Sequence, residues 1–436
     1  MIKLAITAIL LLLVAMLLNL NLLVYAIYSI VGVLLICRWV TSRWSQDVTA
    51  TRGKIPQQVE VGDDVTVAVD VAHVGTLPIS WILIDDMLEK RALLSKVPAI
   101  KVKGNSIAID QMAPGAVHQL RYTIKFKRRG YYQIGPVVIE TGDLLGLNRR
   151  FKVLTEPVYV TVLPQVAIVG RYDIASRRPI GEVVMTHRLF EDPTRIAGVR
   201  KYQNGDSLSR VHWRATARTG TLQSKVFEPS TLAGATIAVD FHVEAFDPDH
   251  EPVRSELAIK CAASIADTLQ RMGQQVGLVS NATDAADRIR LHGWRSDERT
   301  RDAAKQSAQM AAGSDRLNPV VVPTRKSPEQ MAHILKALAR MELSKGLTLP
   351  DLLFETQAQI PRDATVIAII SRIKMENAVA LGGLVRQGYS VEVIVNCFSE
   401  EEFLQTSGPL INQGVACRHL KDEASIATIC EKQAAV

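Results

Sequence analysis

Cysteine is scarce in this chain, and no two cysteines stand at the spacing of a redox or zinc motif. The sequence has five cysteines in 436 residues, and no pair of them forms a C-x-x-C element. Because the number is odd and the positions are widely separated, the sequence predicts neither a disulfide framework nor a structural zinc site, and it fits a reducing compartment. The five are Cys37, Cys261, Cys397, Cys417 and Cys430.

The short motifs of common catalytic sites are also missing. The sequence contains no G-x-S-x-G nucleophile elbow, no H-E-x-x-H zinc motif and no G-x-x-x-x-G-K-[ST] phosphate loop. The composition is that of a folded globular chain, with 47% hydrophobic and 22% charged residues. The length allows about three domains of roughly 100–200 residues each. We therefore expect no cofactor and no enzymatic activity of these classes.

Charge is absent from residues 4–37, the most apolar part of the chain. This stretch divides into two arms, 4–18 and 22–37, separated by an Asn-Leu-Asn segment. One continuous helix would be about 50 Å long, which is too long for a ~30 Å hydrocarbon core, and asparagines favour a turn. A cleavable signal peptide would have a single apolar core, so we predict a transmembrane helical hairpin over 1–42.

Basic residues flank both ends of this predicted hairpin. Lys3 precedes the first arm, whereas Arg38, Arg43 and Arg52 follow the second. A hairpin puts both clusters on one side of the membrane, and the positive-inside rule makes that side cytoplasmic. We therefore expect an integral protein of the cytoplasmic (inner) membrane, with its soluble domains facing the cytoplasm.

Two different periodicities follow the hairpin. Residues 65–71 and 118–127 alternate apolar with polar side chains, and glycine and proline separate several such short runs. This pattern predicts an antiparallel β-sandwich over 43–165. After about Gly234, buried-type strands alternate with helices, which predicts an α/β domain with a parallel sheet over 234–436. The expected strands are 236–241, 275–280, 365–371 and 390–396, and the expected helices are 252–272, 328–343 and 374–387.

Segment 166–233 links the two predicted domains and carries the most distinctive motif of the chain. Residues 200–218 read R-K-Y-Q-N-G-D-S-L-S-R-V-H-W-R-A-T-A-R. Around them, residues 171–225 hold eleven lysines and arginines against five acidic residues. Such an excess attracts acidic protein faces, anionic lipid or nucleic acid, although a solvated basic surface explains the same count. The candidate signature and interaction residues are Tyr202, Gly205, Asp206, Arg210, His212, Trp213, Arg214 and Arg218.

This motif resembles the hallmark of the domain-of-unknown-function 58 family, in which Y-x-x-G-D precedes [IV]-H-W-[KR]-x-[ST]-A-R. The rest of the layout is similar too, with R-R-G-Y-Y at 128–132 in the sandwich and an α/β domain similar to von Willebrand factor A domains. The family's usual D-P-F-G reads D-L-L-G at 143–146. The resemblance implies a bacterial, membrane-bound partner of a MoxR-type AAA+ ATPase, and it implies little chemistry.

Three roles for the signature remain open at this stage. Asp206 and His212 would form an acid–base pair in an active site, or the motif's arginines would hold an anion or a partner. In a structural role, these groups would form a hydrogen-bonded knot between the domains. In that case Trp213 would share a face of an extended segment with Val211 and lie buried, with its indole N–H paired.

The segment after the first strand of the α/β domain is a candidate metal site, because von Willebrand A-like domains bind Mg²⁺ there through D-x-S-x-S. Here the corresponding residues are Asp240, His242 and Glu244, so both serines are missing. We predict no Mg²⁺ site, with these three side chains as alternative candidate ligands for a softer ion.

The sequence therefore predicts a membrane-tethered cytoplasmic adaptor that presents a protein-binding face, with anionic lipid as a further candidate ligand. The alternative is a hydrolase or other enzyme that uses Asp206 and His212. Nucleic-acid binding is suggested by charge alone and lacks a reading motif, so we do not expect it.

Overall fold

The computed structural model describes residues 21–143, 146, 148–170, 191–203, 207–229, 234–292, 318–362 and 364–430. The chain divides into two compact units. Unit 1 comprises Met1–Gln165, Thr283–Arg316 and Leu335–Glu342, and unit 2 comprises Val166–Ala282, Leu317–Ile334 and Leu343–Val436. The four-part domain division expected from the sequence stays a prediction.

Helices occur in both units. They are α1 (Asn21–Gln46), α2 (Lys90–Leu94), α3 (Trp213–Thr219), α4 (Val253–Arg271), α5 (Ala285–His292), α6 (Gln330–Arg340), α7 (Leu349–Thr356), α8 (Met375–Arg386) and α9 (Glu400–Ile411).

The strands fall into separate sheets in the two units. They are β1 (Val48–Arg52), β2 (Gln58–Glu60), β3 (Asp64–His73), β4 (Ile79–Leu88), β5 (Ile100–Gly104), β6 (Ile107–Met112), β7 (Val117–Phe126), β8 (Gly130–Gly142), β9 (Arg149–Thr155), β10 (Val158–Leu163), β11 (Glu191–Lys201), β12 (Gln223–Pro229), β13 (Gly234–Val239), β14 (Gln275–Ser280), β15 (Thr283–Asp284), β16 (Val320–Arg325), β17 (Met341–Glu342), β18 (Thr365–Ile370), β19 (Val391–Asn396) and β20 (Ala416–Leu420).

Helix α1 contains the second apolar arm of the sequence. Its segment Val24–Gln46 has a mean hydropathy of 1.8, so by length and composition it is able to cross a membrane or to serve as a signal sequence. The first arm of the predicted hairpin lies outside the described residues. The helix continues past the expected end of the arm because its last turns are covered, with Thr41 and Trp44 buried. Lys152 Nζ donates to the carbonyl oxygens of Gln46 (3.0 Å) and Val48 (2.9 Å).

Unit 1 is rich in β structure, as the sequence predicted. One sheet has the order β1-β3-β7-β5, and the other has the order β2-β10-β8-β4-β6 with β9 paired to β8. Alternate residues of β3, from Val65 to Val71, are buried in a core that also contains side chains of the second sheet. The arrangement is therefore sandwich-like. Strand β8 runs without a break through Pro136.

A buried ion pair connects the two sheets of unit 1. Arg52 on β1 approaches Asp86 on β4 with Nη2 2.6 Å from Oδ1, and the Tyr122 hydroxyl on β7 donates to Asp86 Oδ2 at 2.7 Å. Burial raises the pKa of Asp86, and Arg52 and Tyr122 oppose that rise. Gly135, at φ +90°, is required here because a Cβ would lie 2.5 Å from the Arg52 guanidinium.

The R-R-G-Y-Y segment holds the end of a helix within unit 1. Arg129 is buried, and its Nη1 donates to the carbonyl oxygens of Leu338 (2.7 Å), Ala339 (3.3 Å) and Met341 (2.8 Å). The Leu338 and Ala339 carbonyls belong to the last turn of α6, and Met341 begins β17. A cation is favourable there because the carboxyl end of a helix carries the negative end of its dipole. Tyr132 donates to the carbonyl oxygens of Arg128 and Arg129, which fixes the turn before β8.

Unit 2 contains a six-stranded mixed sheet in the order β16-β14-β13-β18-β19-β20. Five strands are parallel, and β16 is antiparallel to β14 at one edge. Strands β13, β18 and β19 are buried at every position, so both of their faces are covered. The chain turns to one side after β13 and to the other after β18, so the strand order reverses between them. The loops that follow these two strands meet at that point.

Candidate functional site

The signature residues form a hairpin with a short helix inserted in it. Strand β11 pairs antiparallel with β12, with Arg200 opposite Ser224, and Val211 forms an isolated bridge to Ser224. The predicted site residues Gly205 and Asp206 lie outside the described residues. The structure therefore places the second half of the motif, from Ser207 onward, on a turn, a bridge and helix α3.

His212 is the N-cap residue of helix α3. Its Nδ1 accepts a hydrogen bond from the Ala215 N–H at 3.0 Å, which caps the helix. Its carbonyl oxygen accepts the Thr216 N–H, and its own N–H donates to the Gln223 carbonyl oxygen. Thr216 Oγ1 in turn accepts the Gln223 N–H at 3.0 Å. Residues 212, 216 and 223 thus tie the helix to β12.

Trp213 is exposed, which contradicts the expectation that it would be buried. Its exposed fraction is 68%, and helix α3 has no buried residue. The prediction rested on an extended V-H-W-R segment with Val211 and Trp213 on one face. The His212 cap instead starts a helix at Trp213, so the indole turns away from the buried side of Val211. A structural knot that includes a buried Trp213 is therefore wrong.

The remaining signature residues divide between the hairpin and its surface. Tyr202 and Arg210 are half-buried, and the Tyr202 N–H donates to the Leu222 carbonyl oxygen at 2.9 Å. Arg214 and Arg218 are exposed on α3. We define the signature surface as Arg200, Lys201, Trp213, Arg214 and Arg218, all of which are exposed.

Asp240 lies at the carboxyl end of β13 and is buried. Its Oδ1 accepts hydrogen bonds from Asn281 Nδ2 at 2.9 Å and from the His242 N–H at 3.2 Å. Burial raises the pKa of Asp240, and these two donors oppose the rise. Asn281 also accepts the Phe241 N–H at 2.6 Å, so one amide side chain organises this loop. The sequence patterns gave no signal for Asn281.

The three alternative metal ligands do not form a common site. His242 Nδ1 accepts the Glu244 N–H, and Glu244 Oε2 pairs with Lys374 Nζ at 2.7 Å. That ammonium lowers the pKa of Glu244. No group of three His, Cys, Asp or Glu side chains able to hold a metal occurs among the residues that the structure describes. Since Asp240 is bound by amide donors and Glu244 by an ammonium, these residues do not fit a hard divalent cation.

The family comparison agrees with the motif. Residues 198–297 match the family model described as "Protein of unknown function DUF58". The "Uncharacterized protein YeaD" of Bacillus subtilis (strain 168) is 25% identical over 237 residues, which are 53% of this chain and 55% of that protein. The chain thus spans about half the length of the curated relative that it matches.

Two solved structures illustrate the structural likenesses. Proximal thread matrix protein 1 from the mussel byssus has a TM-score of 0.28 at 14% identity, covering 46% of this chain and 46% of that chain. The ASH / PapD-like domain of human CEP192 has a TM-score of 0.19 at 12% identity, covering 27% of this chain and 87% of that chain.

Proposed function

We propose that this chain, which belongs to the DUF58 family, is a membrane-tethered adaptor whose signature surface binds a partner protein. The observation that carries the proposal is Trp213, a large aromatic side chain that is 68% exposed on a helix with no buried residue. Tryptophan and arginine are the residue types most enriched in interface hot spots, and here Arg214 and Arg218 lie on the same short helix.

The chemistry of the signature surface favours an acidic partner. Four of its five residues are basic and exposed, and long-range attraction of this kind speeds association with a negative face. We take a MoxR-type AAA+ ATPase as the first partner to test, because the family resemblance implies that such an ATPase is the partner protein. The strand order of unit 2 supports the von Willebrand A-like assignment that comes with the same resemblance.

The apolar helix supports the proposal that the adaptor is held at the membrane surface. Helix α1 is apolar enough to span a bilayer, and Arg38 and Arg43 follow its apolar part. We place the soluble units on the cytoplasmic side because of these charges.

The alternative function, an enzyme that uses Asp206 and His212, gains no support from the described residues. His212 Nδ1 already accepts a backbone N–H, so that nitrogen is occupied as a helix cap rather than held ready as a base. Asp206 lies outside the described residues, so the enzyme stays the alternative and the adaptor is the function that the described side chains support best.

Binding of a purified MoxR-type ATPase to the full chain in lipid nanodiscs tests the proposal. We expect Trp213→Ala to weaken binding by about thirtyfold or more, since a hot-spot truncation costs about 2 kcal/mol or more. Phe354→Ala is the matched control, because Phe354 is also an exposed aromatic residue of unit 2, at 82%. Equal binding by wild type and Trp213→Ala, with Phe354→Ala unchanged, would reject the signature surface as the docking face.

A further inference from the structure

Unit 1 carries a second basic surface, on the edge strand β5 and on the segment that leads into it. No acidic residue occurs between Glu89 and Asp110 or between Asp110 and Glu140, so α2, β5 and β7 contain none. Strand β5 is at an edge of its sheet, next to β7. This surface shares no residue with the signature surface of unit 2, so the inference does not depend on the proposed function.

Backbone hydrogen bonds hold the segment after α2 against the end of β7. The Ala99 N–H donates to the Ala92 carbonyl oxygen at 2.8 Å, and the Ala99 carbonyl oxygen accepts the Lys127 N–H at 2.8 Å. Strand β5 begins at the next residue, and its Lys101 and Lys103 are two positions apart and project from the same face. The basic side chains of α2, of the segment after it, of β5 and of the end of β7 therefore lie on one part of unit 1.

The cations of this surface are exposed and unpaired. None of the five forms an ion pair with a residue that the structure describes. They are Arg91, Lys96, Lys101, Lys103 and Lys127.

Acidic residues at the same end of the sheet do not neutralise these cations. Glu89 is buried, whereas Glu60, Asp63 and Asp64 lie at the turn between β2 and β3, and β7 separates β3 from β5. Asp64 already faces Lys125 at 3.7 Å. The five unpaired cations outnumber the remaining carboxylates, so the surface attracts negative groups.

Two apolar side chains are exposed among the cations. Leu94 is 80% exposed and lies one helical turn from Arg91, and Val97 is 45% exposed and follows Lys96. A small inorganic anion would leave both apolar groups in water. A peptide segment with acidic and apolar side chains would cover them while its carboxylates meet the lysines, as protein interfaces combine an apolar centre with a polar rim.

The surface lies at the end of its sheet that is remote from helix α1. The chain leaves α1 into β1, where Val48 is opposite His73 at one end of β3. Lys125 is opposite Asp64 at the other end of β3, and Lys101 is opposite Lys125. The nine residues between the two ends of β3 span about 30 Å. A membrane crossed by α1 would lie at the opposite end, so a soluble partner fits this surface better than lipid headgroups.

We propose that this surface, here named the β5 surface, binds an acidic segment of a partner protein. It comprises Arg91, Leu94, Lys96, Lys101, Lys103 and Lys127. Carboxylates of the segment pair with the lysines of β5, and its apolar side chains cover Leu94.

Fluorescence anisotropy with a labelled dodecapeptide of alternating leucine and glutamate tests the β5 surface. The full chain is held in phosphatidylcholine nanodiscs and carries Arg214→Gln/Arg218→Gln, because the peptide would otherwise also meet the signature surface. In this background Lys101→Gln/Lys103→Gln should weaken binding by about tenfold, and Leu94→Ser by about threefold. A leucine–glutamine peptide should bind at least about tenfold more weakly than the acidic one.

Matched controls remove similar groups elsewhere. Lys326→Gln/Lys345→Gln removes two exposed lysines of unit 2, and Ile109→Ser removes an apolar side chain of β6 that is 71% exposed. Both should bind the peptide like the background chain, and all of these variants should melt like it because the positions are exposed. An equal loss in the two lysine variants would show unspecific attraction to charge and overturn the proposal.

Three further results would overturn it. They are no binding of the acidic peptide, equal binding of the neutral peptide, and displacement of the peptide by about 1 mM inorganic phosphate, which would assign the cations to a small anion. Phosphatidylglycerol vesicles that bind more tightly than the peptide, and lose this binding in Lys101→Gln/Lys103→Gln, would assign the surface to lipid instead. The proposed function is scored by ATPase binding to the signature surface and the β5 surface by the peptide, so the two proposals fail separately.

Discussion

His212 and Trp213 are neighbours in the chain, yet their side chains have opposite roles. The imidazole of His212 turns back to cap α3, whereas the indole of Trp213 projects into solvent. A residue at an N-cap is fixed by the backbone that follows it, and a residue at the first helical position has no such constraint. The stability of the hairpin should therefore depend on His212 and its recognition properties on Trp213.

We predict that His212→Ala lowers the free energy of unfolding by about 0.5–2 kcal/mol, the usual cost of losing an N-cap. Trp213→Ala should change it by less than about 0.5 kcal/mol, since an exposed substitution leaves no cavity. Thermal melts of the purified chain measure both, and His212→Asn is the control because asparagine retains a capping acceptor. A loss above about 2 kcal/mol in Trp213→Ala would mean that the indole is buried after all.

Asp240 leads to a prediction about pH. Burial raises its folded-state pKa above that of the unfolded chain, so the stability that it contributes is fully present below the unfolded pKa and is lost as pH rises through the folded pKa. Asp240→Asn should therefore be more stable than wild type at neutral pH, and this advantage should disappear as pH falls below about 4.

Asp422 provides a control of opposite sign. Hydrogen bonds from Ser425 lower the pKa of Asp422, so its contribution is present above the unfolded pKa and is lost as pH falls through the folded pKa. Asp422→Asn should thus be less stable than wild type at neutral pH. Thermal melts from pH 3 to pH 8 measure both variants. If Asp240→Asn were less stable than wild type at neutral pH, the raised pKa of Asp240 would be contradicted.

Arg129 acts at the scale of the element, because one guanidinium fixes the end of a whole helix. Its three acceptors on α6 and β17 are separated from it by more than 200 residues of sequence. Buried carbonyl groups require donors, and a charged donor makes stronger bonds than a neutral one. The R-R-G-Y-Y segment therefore contributes to folding through the end of α6.

We predict that Arg129→Met destabilises the chain by about 2–4 kcal/mol, because charge-assisted bonds contribute about 1.5–3 kcal/mol and their loss leaves buried acceptors unpaired. Urea titration measures the change, and hydrogen exchange should show faster opening of the last turn of α6. Arg128→Met is the neighbouring control and should cost much less, since Arg128 is only half-buried. An equal loss of unfolding free energy in the two variants would contradict a specific role for Arg129 at the end of α6.

Helix α1 belongs to unit 1. Its last turns are covered by the sandwich-like sheets, and Lys152 binds the carbonyl at its end, so the apolar helix and the β sheets of unit 1 form one continuous body. Arg43 lies 5.9 Å over the Trp39 ring, a pair typical of the water–lipid boundary.

We predict that unit 1 faces the cytoplasm. A cysteine introduced by Val74→Cys, at an exposed position of unit 1, should react with a membrane-impermeant maleimide only after the cells are broken. The parent chain is the control for labelling of its native cysteines. Labelling of Val74→Cys in intact spheroplasts would place unit 1 on the other side.

The sequence by itself determined the features that depend on local pattern. The charge-free stretch predicted the apolar helix α1, the period of two predicted β3 and β7, and the fully apolar runs predicted β13, β14, β18 and β19. The family resemblance was likewise carried by contiguous residues of the signature, and the match over 198–297 confirms it. Periodicity and short motifs depend on residues that are close together in the sequence, so they can be recognised before the tertiary structure is known.

Only the tertiary structure decided which distant groups meet. Trp213 was expected to be buried because its neighbours read as extended, but a cap supplied by His212 starts a helix there and exposes the indole. The same limit applies to Arg129 with the Leu338 carbonyl and to Lys374 with Glu244, pairs that are 209 and 130 residues apart. The edge strand β16 escaped prediction because its burial is only partial and its partner is supplied by β14. In each case the deciding interaction is with a group far along the chain, which a local window of sequence does not contain.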